Sequence, residues 1–244
     1  MSKRNKAADR AAERAERAAR AAALRAEQER KEKRRRLLTF GGVAAVLLLI
    51  VGVAIFLQTR AGQLDEGAVV PAGSTKDFGM QVGDADAKHE VVIYEDFICP
   101  ACKLFKDEND AALEAAVADG TARVEYRPLN FLRQYGDYSG RAANAFAVVL
   151  DAAGPDVALK FHDILFANQP PESGPLPDDA WLIEKAVEAG ATEVEVSEGI
   201  KGMEFEAWVE NAAKTATDDG VGATPTILVD GEAIEFDGLS EALE

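Results

Sequence analysis

The chain has 244 residues, 48% hydrophobic and 29% charged, enough for one domain of ordinary size with appendages. Its net charge of −16 conceals two opposite pieces, +8 over residues 1–36 and −24 over the rest. The acidic remainder argues against nucleic acid or another polyanion as its partner, and a total of two cysteines leaves nothing for a disulfide-stapled scaffold.

The chain opens with an Ala/Arg/Glu-rich arm. Pairs such as Glu13 and Arg17, four residues apart, give residues 7–36 the look of a solvated helix. Its basic end, Lys31 to Arg36, suits anionic lipid headgroups or serves as a topology signal. Leu37 to Leu57 follows without a single charge, long enough at about 1.5 Å per residue to cross a bilayer. The basic residues crowd its N-terminal flank, whereas Arg60 is followed by Asp65 and Glu66, so the arm is expected in the cytoplasm and the acidic part outside it. A cleaved signal peptide is the alternative, but its apolar region would be shorter and no convincing A-x-A site follows Leu57. The expected organisation is therefore an arm at 1–36, a transmembrane helix at 37–57, a spacer at 58–77 and a folded domain at 78–244. Gly62, Gly67, Pro71, Gly73 and Ser74 give the spacer its composition.

His89 to Tyr94 is apolar and β-branched and predicts a buried strand. A helix is expected just beyond it, with Cys99 as its cap, Pro100 at the first position and Lys103 to Val117 as its body. Ala122 to Tyr126 reads as the next strand. Helical spacing then runs from Ser139 to Ala189, broken at Gly154-Pro155 and at the loop Gln169 to Pro177, with Gly190 as the cap of its last helix. A further helical stretch covers Gly202 to Thr217. Thr226 to Val229 and Ala233 to Phe236 flank the turn signal Asp230-Gly231, and a short helix ends the chain. Phe146, Phe161, Phe166, Trp181 and Trp208 fall at helical spacing and are candidate core. The whole reads as α/β, with a helical block at about 139–200 inserted between two parts of a sheet.

Every cysteine lies in Cys99-Pro100-Ala101-Cys102. Two thiols at this spacing can close a small disulfide ring and reopen it by exchange, and no third cysteine competes. At a helix start the N–H groups of Ala101 and Cys102 face the Cys99 sulfur and favour its thiolate, which makes Cys99 the candidate nucleophile and Cys102 the buried resolving thiol. A structural disulfide or an inert core pair are the blander readings. No metal is expected, since His89 and His162 are isolated and show no ligand spacing. Glu95 and Asp96, just before the pair, are candidates to transfer the Cys102 proton; as plain alternatives they are strand-end caps or surface charges.

The motif D-F-x-C-P-x-C at Asp96 to Cys102, together with T-P-T at Thr224, Pro225 and Thr226, resembles the DsbA-like branch of thioredoxin-fold disulfide oxidoreductases, from about Phe78 to the C-terminus. The resemblance implies a thioredoxin fold with a helical insertion, an exchange-active Cys99, no cofactor beyond the Cys99–Cys102 disulfide, and a cis bond before Pro225 packed against the sulfurs. It implies that Thr224 holds substrate peptide by strand addition. Two departures stand out. Many relatives carry a buried acid six residues before the first cysteine, where this chain has Ile93, and the central dipeptide Pro100-Ala101 has no histidine. The function implied is a membrane-tethered, extracytoplasmic oxidase of exported cysteine-containing proteins, re-oxidised by a quinone-linked partner of the DsbB or vitamin K epoxide reductase type. A reductase or isomerase, or a non-catalytic binding module on the same fold, are the alternatives.

Overall fold

The computed structural model describes residues 64–243; the expected basic arm, the apolar span at 37–57 and the start of the spacer lie outside the described residues. Among the described residues no helix is long and apolar enough to cross a membrane.

Five strands form one sheet in the order β1-β3-β2-β4-β5, namely β1 Met80–Val82, β2 His89–Glu95, β3 Ala122–Pro128, β4 Thr226–Val229 and β5 Glu232–Ala233. β2 and β3 are parallel, with Val91 beside Val124, and the crossover that parallel neighbours require is helix α1, Pro100–Ala118. β4 lies antiparallel on the other side of β2, with Val91 opposite Val229, and β1 edges β3. β2 is thus central, and its apolar run is buried on both faces. Alternation sends Val91 and Ile93 into the larger core with Phe97, Phe146, Phe161 and Trp208. Val92 and Tyr94 enter a smaller one with Leu129, Ala212 and Ala216.

Between β3 and β4 the chain inserts α2 Tyr138–Ala153, α3 Pro155–Ala167, α4 Asp179–Ala189, α5 Glu193–Gly202 and α6 Glu206–Asp218. Gly154 at φ +80 breaks α2 from α3, which restarts with Pro155 in its first turn. Gly190 is left-handed and closes α4, the N–H of Ala191 returning to the Ala186 carbonyl. The helix expected from Gly202 starts later, at Glu206, because Met203 adopts φ +51 and turns the chain. Of the aromatic core candidates, Phe146, Phe161, Phe166 and Trp208 are fully enclosed, while Trp181 is half-buried against Tyr138.

Asp230 and Gly231, both at positive φ, make the expected tight turn. The strand after it is shorter than Ala233 to Phe236, since only Glu232–Ala233 pairs and Phe236 instead meets the ring of Phe105 edge-on. A short helix α7, Leu239–Ala242, follows. The described part of the expected spacer does not hang free. Asp65 exchanges two hydrogen bonds with the Asn211 side chain (2.8 and 3.0 Å), the Ala72 N–H donates to Asp151 (2.7 Å), and the Thr75 hydroxyl donates to Glu125. Its Gly, Pro and Ser residues shape a strap laid along the folded unit.

Candidate active site

β2 delivers the chain to Cys99, which caps α1 with extended backbone (φ −75, ψ 115) and Pro100 in the first turn. No side chain caps this end and no acid occupies its first turn. The N–H groups of Ala101 and Cys102 are therefore left for the Cys99 sulfur, at the positive end of a 19-residue helix. As a thiol, Cys99 donates to the Thr224 carbonyl, Sγ to oxygen 3.3 Å. The Thr224–Pro225 bond is cis, and the Cys99 contact with Thr224 sets this bond beside the sulfur, just before β4. The two cysteines are not joined to each other, and both residues are buried.

The two thiols are held in opposite senses. Hydrogen bonding from the Cys102 thiol, aided by the N–H groups of Cys102 and Ala101, outweighs burial and holds the Cys99 pKa down at about 6. Burial pushes the Cys102 thiol far above the ordinary range, and the charges of Cys99 and Glu95 push the same way. One sulfur is thus a thiolate at neutral pH while its neighbour keeps its proton. This is the division between attacking and resolving thiol that exchange chemistry needs.

Glu95 and Asp96 are both buried, which removes the surface-charge reading. Asp96 accepts from the Ile98 N–H (3.2 Å), the Leu132 N–H (2.9 Å) and the Ser139 hydroxyl (2.6 Å), joining the cysteine loop to the start of the helical block. Burial raises its pKa, and these three bonds only partly offset that. The backbone N–H of Asp96 reaches the Cys102 sulfur. Glu95 instead meets a residue that sequence reasoning set aside. Its Oε1 lies 2.7 Å from Nε2 of His162, on α3, and neither side chain is more than marginally exposed. A signal for this was present in the sequence: His162 sits in the apolar stripe of α3 among Ala158, Phe161, Leu165 and Phe166.

A second residue from the helical block, Gln169, also reaches the site without forewarning. Its amide donates to the carbonyls of Phe97 (3.2 Å) and Cys99 (2.9 Å), fixing the turn that presents the nucleophile. Beside the cis-proline loop an open groove of about 440 Å³ is lined by Phe131, Leu132, Thr217, Val221 and Thr224, among others. Among the described residues no group of three or more potential metal ligands gathers. His89 is bonded to Asp230 (2.7 Å), whereas His162 meets Glu95 and Asp163.

Residues 75–244 match the protein-family profile described as thioredoxin. The fold superposes on reduced DsbA from Mycobacterium tuberculosis with 31% identity and a TM-score of 0.56, covering 65% of this chain and 85% of that one. BdbD from Bacillus subtilis, at 23% identity, shares the fold with a TM-score of 0.63 over 72% of this chain and 97% of its own. A 125-residue segment, 49% of this chain, is 32% identical to part of the serine/threonine-protein kinase PknE of Mycobacterium tuberculosis. The match spans only 22% of that kinase, so it concerns one segment of it. Profile, fold and cysteine pair agree: the chain belongs to the DsbA-like thioredoxin family and is a thiol–disulfide oxidoreductase that works through a CXXC pair with no cofactor group.

Proposed function

We propose that this protein is an extracytoplasmic oxidase that inserts disulfides into exported proteins, tethered to the membrane by residues 37–57 with the arm 1–36 in the cytoplasm and residues 78–244 as the catalytic part. The observation that carries the reading is the Cys99 thiolate, held at about pH 6 by Cys102 and the helix start. A stabilised thiolate stabilises the reduced pair, and a pair that prefers to be reduced is a disulfide donor. In this reading a substrate thiolate attacks the Cys99 sulfur of the oxidised pair, the Cys99–Cys102 bond breaks, and its electron pair goes to Cys102, which takes up a proton. A second substrate thiolate attacks the substrate sulfur of the mixed disulfide and releases Cys99 as a thiolate, the better leaving group of the two. Substrate leaves oxidised, the protein leaves reduced, and a quinone-linked membrane partner of the DsbB or vitamin K epoxide reductase type restores the disulfide.

Extended substrate lies along Thr224 and Pro225 in the adjoining groove, where the Thr224 hydroxyl is buried and bonded to nothing else among the described residues. Pro100 and Ala101 shape the helix start. Glu95, whose charge acts on the buried Cys102 thiol, and Asp96, whose N–H holds its sulfur, are the pair that helps transfer the Cys102 proton. The test is the reduction potential of the full chain in glutathione buffers. A potential well above that of glutathione supports the oxidase; one at or below it reverses the electron flow and makes the protein a reductase or isomerase. A Cys102→Ala variant should trap mixed disulfides with exported proteins, and a gel without trapped species favours a binding module.

A further inference from the structure

A second cavity, of about 320 Å³, has no part in the exchange steps above. The segment after β3 lines it with Asn130 and Arg133, and the start of α6 with Glu206, Val209 and Glu210; Met203 lines it too. Its charges do not balance. Arg141, also in the lining, is taken up by Asp137 and Asp179 (3.0 Å each) and by the Pro177 carbonyl (2.7 Å). Arg133 reaches Glu210 only at 3.3 and 3.4 Å, and both side chains are exposed. Glu206 has no ion pair among the described residues. The lining thus carries one carboxylate, Glu206, beyond what its two arginines match.

Asn130 adds an independent mark. It is 5% exposed, its amide nitrogen donates to Glu210 at 2.8 Å, and its Oδ1 is buried with no hydrogen-bond partner among the described residues. A buried acceptor left unpaired costs stability until a donor reaches it. The unmatched carboxylate and the orphaned acceptor call for the same group, a cationic hydrogen-bond donor. Met203 and Val209 make part of the wall apolar, which suits the methylene stem of a basic side chain better than a bare ion.

The place of the cavity along α6 points to the molecule that carries this side chain. Glu206, Glu210 and Thr217 are spaced by four and seven residues and so share one face of the helix. Thr217 lines the groove beside the cis-proline loop, as do Leu132 and Gln134, which alternate with the cavity's Arg133 in the same segment. From Glu210 to Thr217 the helix rises about 10 Å, a distance that extended chain covers in about three residues. Lys214, on the flank of this face, is bonded to Asp218.

We propose that this cavity is a second substrate subsite, which takes a lysine or arginine side chain about three residues along the extended segment that occupies the cis-proline groove. The inference rests on the reading of that groove as the place where substrate lies. The stem of the basic side chain packs on Met203 and Val209, and its charge meets Glu206, Glu210 and the Asn130 amide oxygen. The protein thereby selects exported chains with a base at one fixed distance from the cysteine that reacts. The net charge of −24 beyond residue 36 draws cationic segments towards it.

The experiment uses the full chain with Cys102→Ala, in which Cys99 is the sole thiol. Peptides with one central cysteine, activated as its nitrothiobenzoate disulfide, carry a single lysine at each position in turn, with norleucine as the uncharged control of the same length. The Cys99 thiolate attacks the peptide sulfur, the bond to nitrothiobenzoate breaks, and the coloured thiolate released reports the rate. Lysine at one position should react about five- to tenfold faster than its norleucine control, the gain should fade with added salt, and E206Q with E210Q should remove it. A gain spread evenly over all positions is general attraction by the acidic surface and overturns the subsite. No gain at any position, or a gain that survives E206Q with E210Q, overturns it as well. If lysine and norleucine peptides alike react no faster than activated cysteine alone, the groove reading itself falls and takes the subsite with it. The lysine scan needs no substitution in the cavity, so it decides the matter even if E206Q with E210Q fails to fold.

Discussion

The low Cys99 pKa makes a prediction about how the reduction potential bends with pH. With a pKa of about 6, roughly nine-tenths of Cys99 is thiolate at pH 7, whereas a thiol at the ordinary 9.0 would be about 1% ionised. At pH 7 this stabilises the reduced pair by about 1.4 kcal/mol, which is about 30 mV on a two-electron couple. Cys102 adds nothing at this pH because burial keeps it protonated throughout. Below pH 6 reduction takes up two protons for two electrons and the potential should fall by about 59 mV per pH unit; above it only one proton is taken up and the slope should halve to about 30 mV. Equilibration of the full chain with glutathione between pH 5 and about 9, read by alkylation and gel shift, measures both slopes. A single slope up to pH 8, or a bend near the ordinary thiol value of 9.0, would refute the claim that the helix start and Cys102 hold Cys99 as a thiolate.

Cys102→Ala removes the largest stabiliser of the Cys99 thiolate, so the midpoint of Cys99 alkylation by iodoacetamide should move up from about pH 6; an unmoved midpoint would show that the helix start alone sets it. Asp96→Ala strips an acceptor from the Ile98 and Leu132 N–H groups and the Ser139 hydroxyl, and urea unfolding should show a loss of about 2–4 kcal/mol, with a loss below about 0.5 counting against the role of Asp96 as a structural tie. The His162 to Asp163 pair predicts a two-sided stability profile. The raised His162 pKa gives stability that is complete below its ordinary 6.5 and is lost as pH rises through its folded value; the lowered Asp163 pKa gives stability present above 3.8 and lost as pH falls. Thermal unfolding of H162Q should therefore flatten the alkaline limb, and an unchanged limb would contradict it.

The elements that were plain in the sequence are those whose pattern is local. Val91 to Tyr94 could only be a strand buried on both faces, and Pro100 fixed where α1 begins. Gly154, Gly190 and Asp230-Gly231 each sit where the backbone demands what those residues permit. The misjudged elements depend on distant contacts. β1, three residues long, exists because β3 offers it an edge, and nothing in Met80–Val82 announces that. Met203 turns left-handed without glycine's freedom, so the boundary between α5 and α6 has no local sign. The cysteine pair and the T-P-T element carry their motif with them. Glu95 does not: whether it lay inside or outside depended on His162, 67 residues later in the chain.

Gln169 has a consequence for how such a protein could be altered. The sulfurs belong to the start of α1, yet the amide that grips the Cys99 carbonyl and the imidazole behind Glu95 both come from the inserted block, from the loop after α3 and from α3 itself. The hardware of exchange and the parts that trim it are encoded in separate stretches of the gene. Grafting a different helical block between β3 and β4 would retune the protein's electrochemistry while every letter of Cys99-Pro100-Ala101-Cys102 stayed the same.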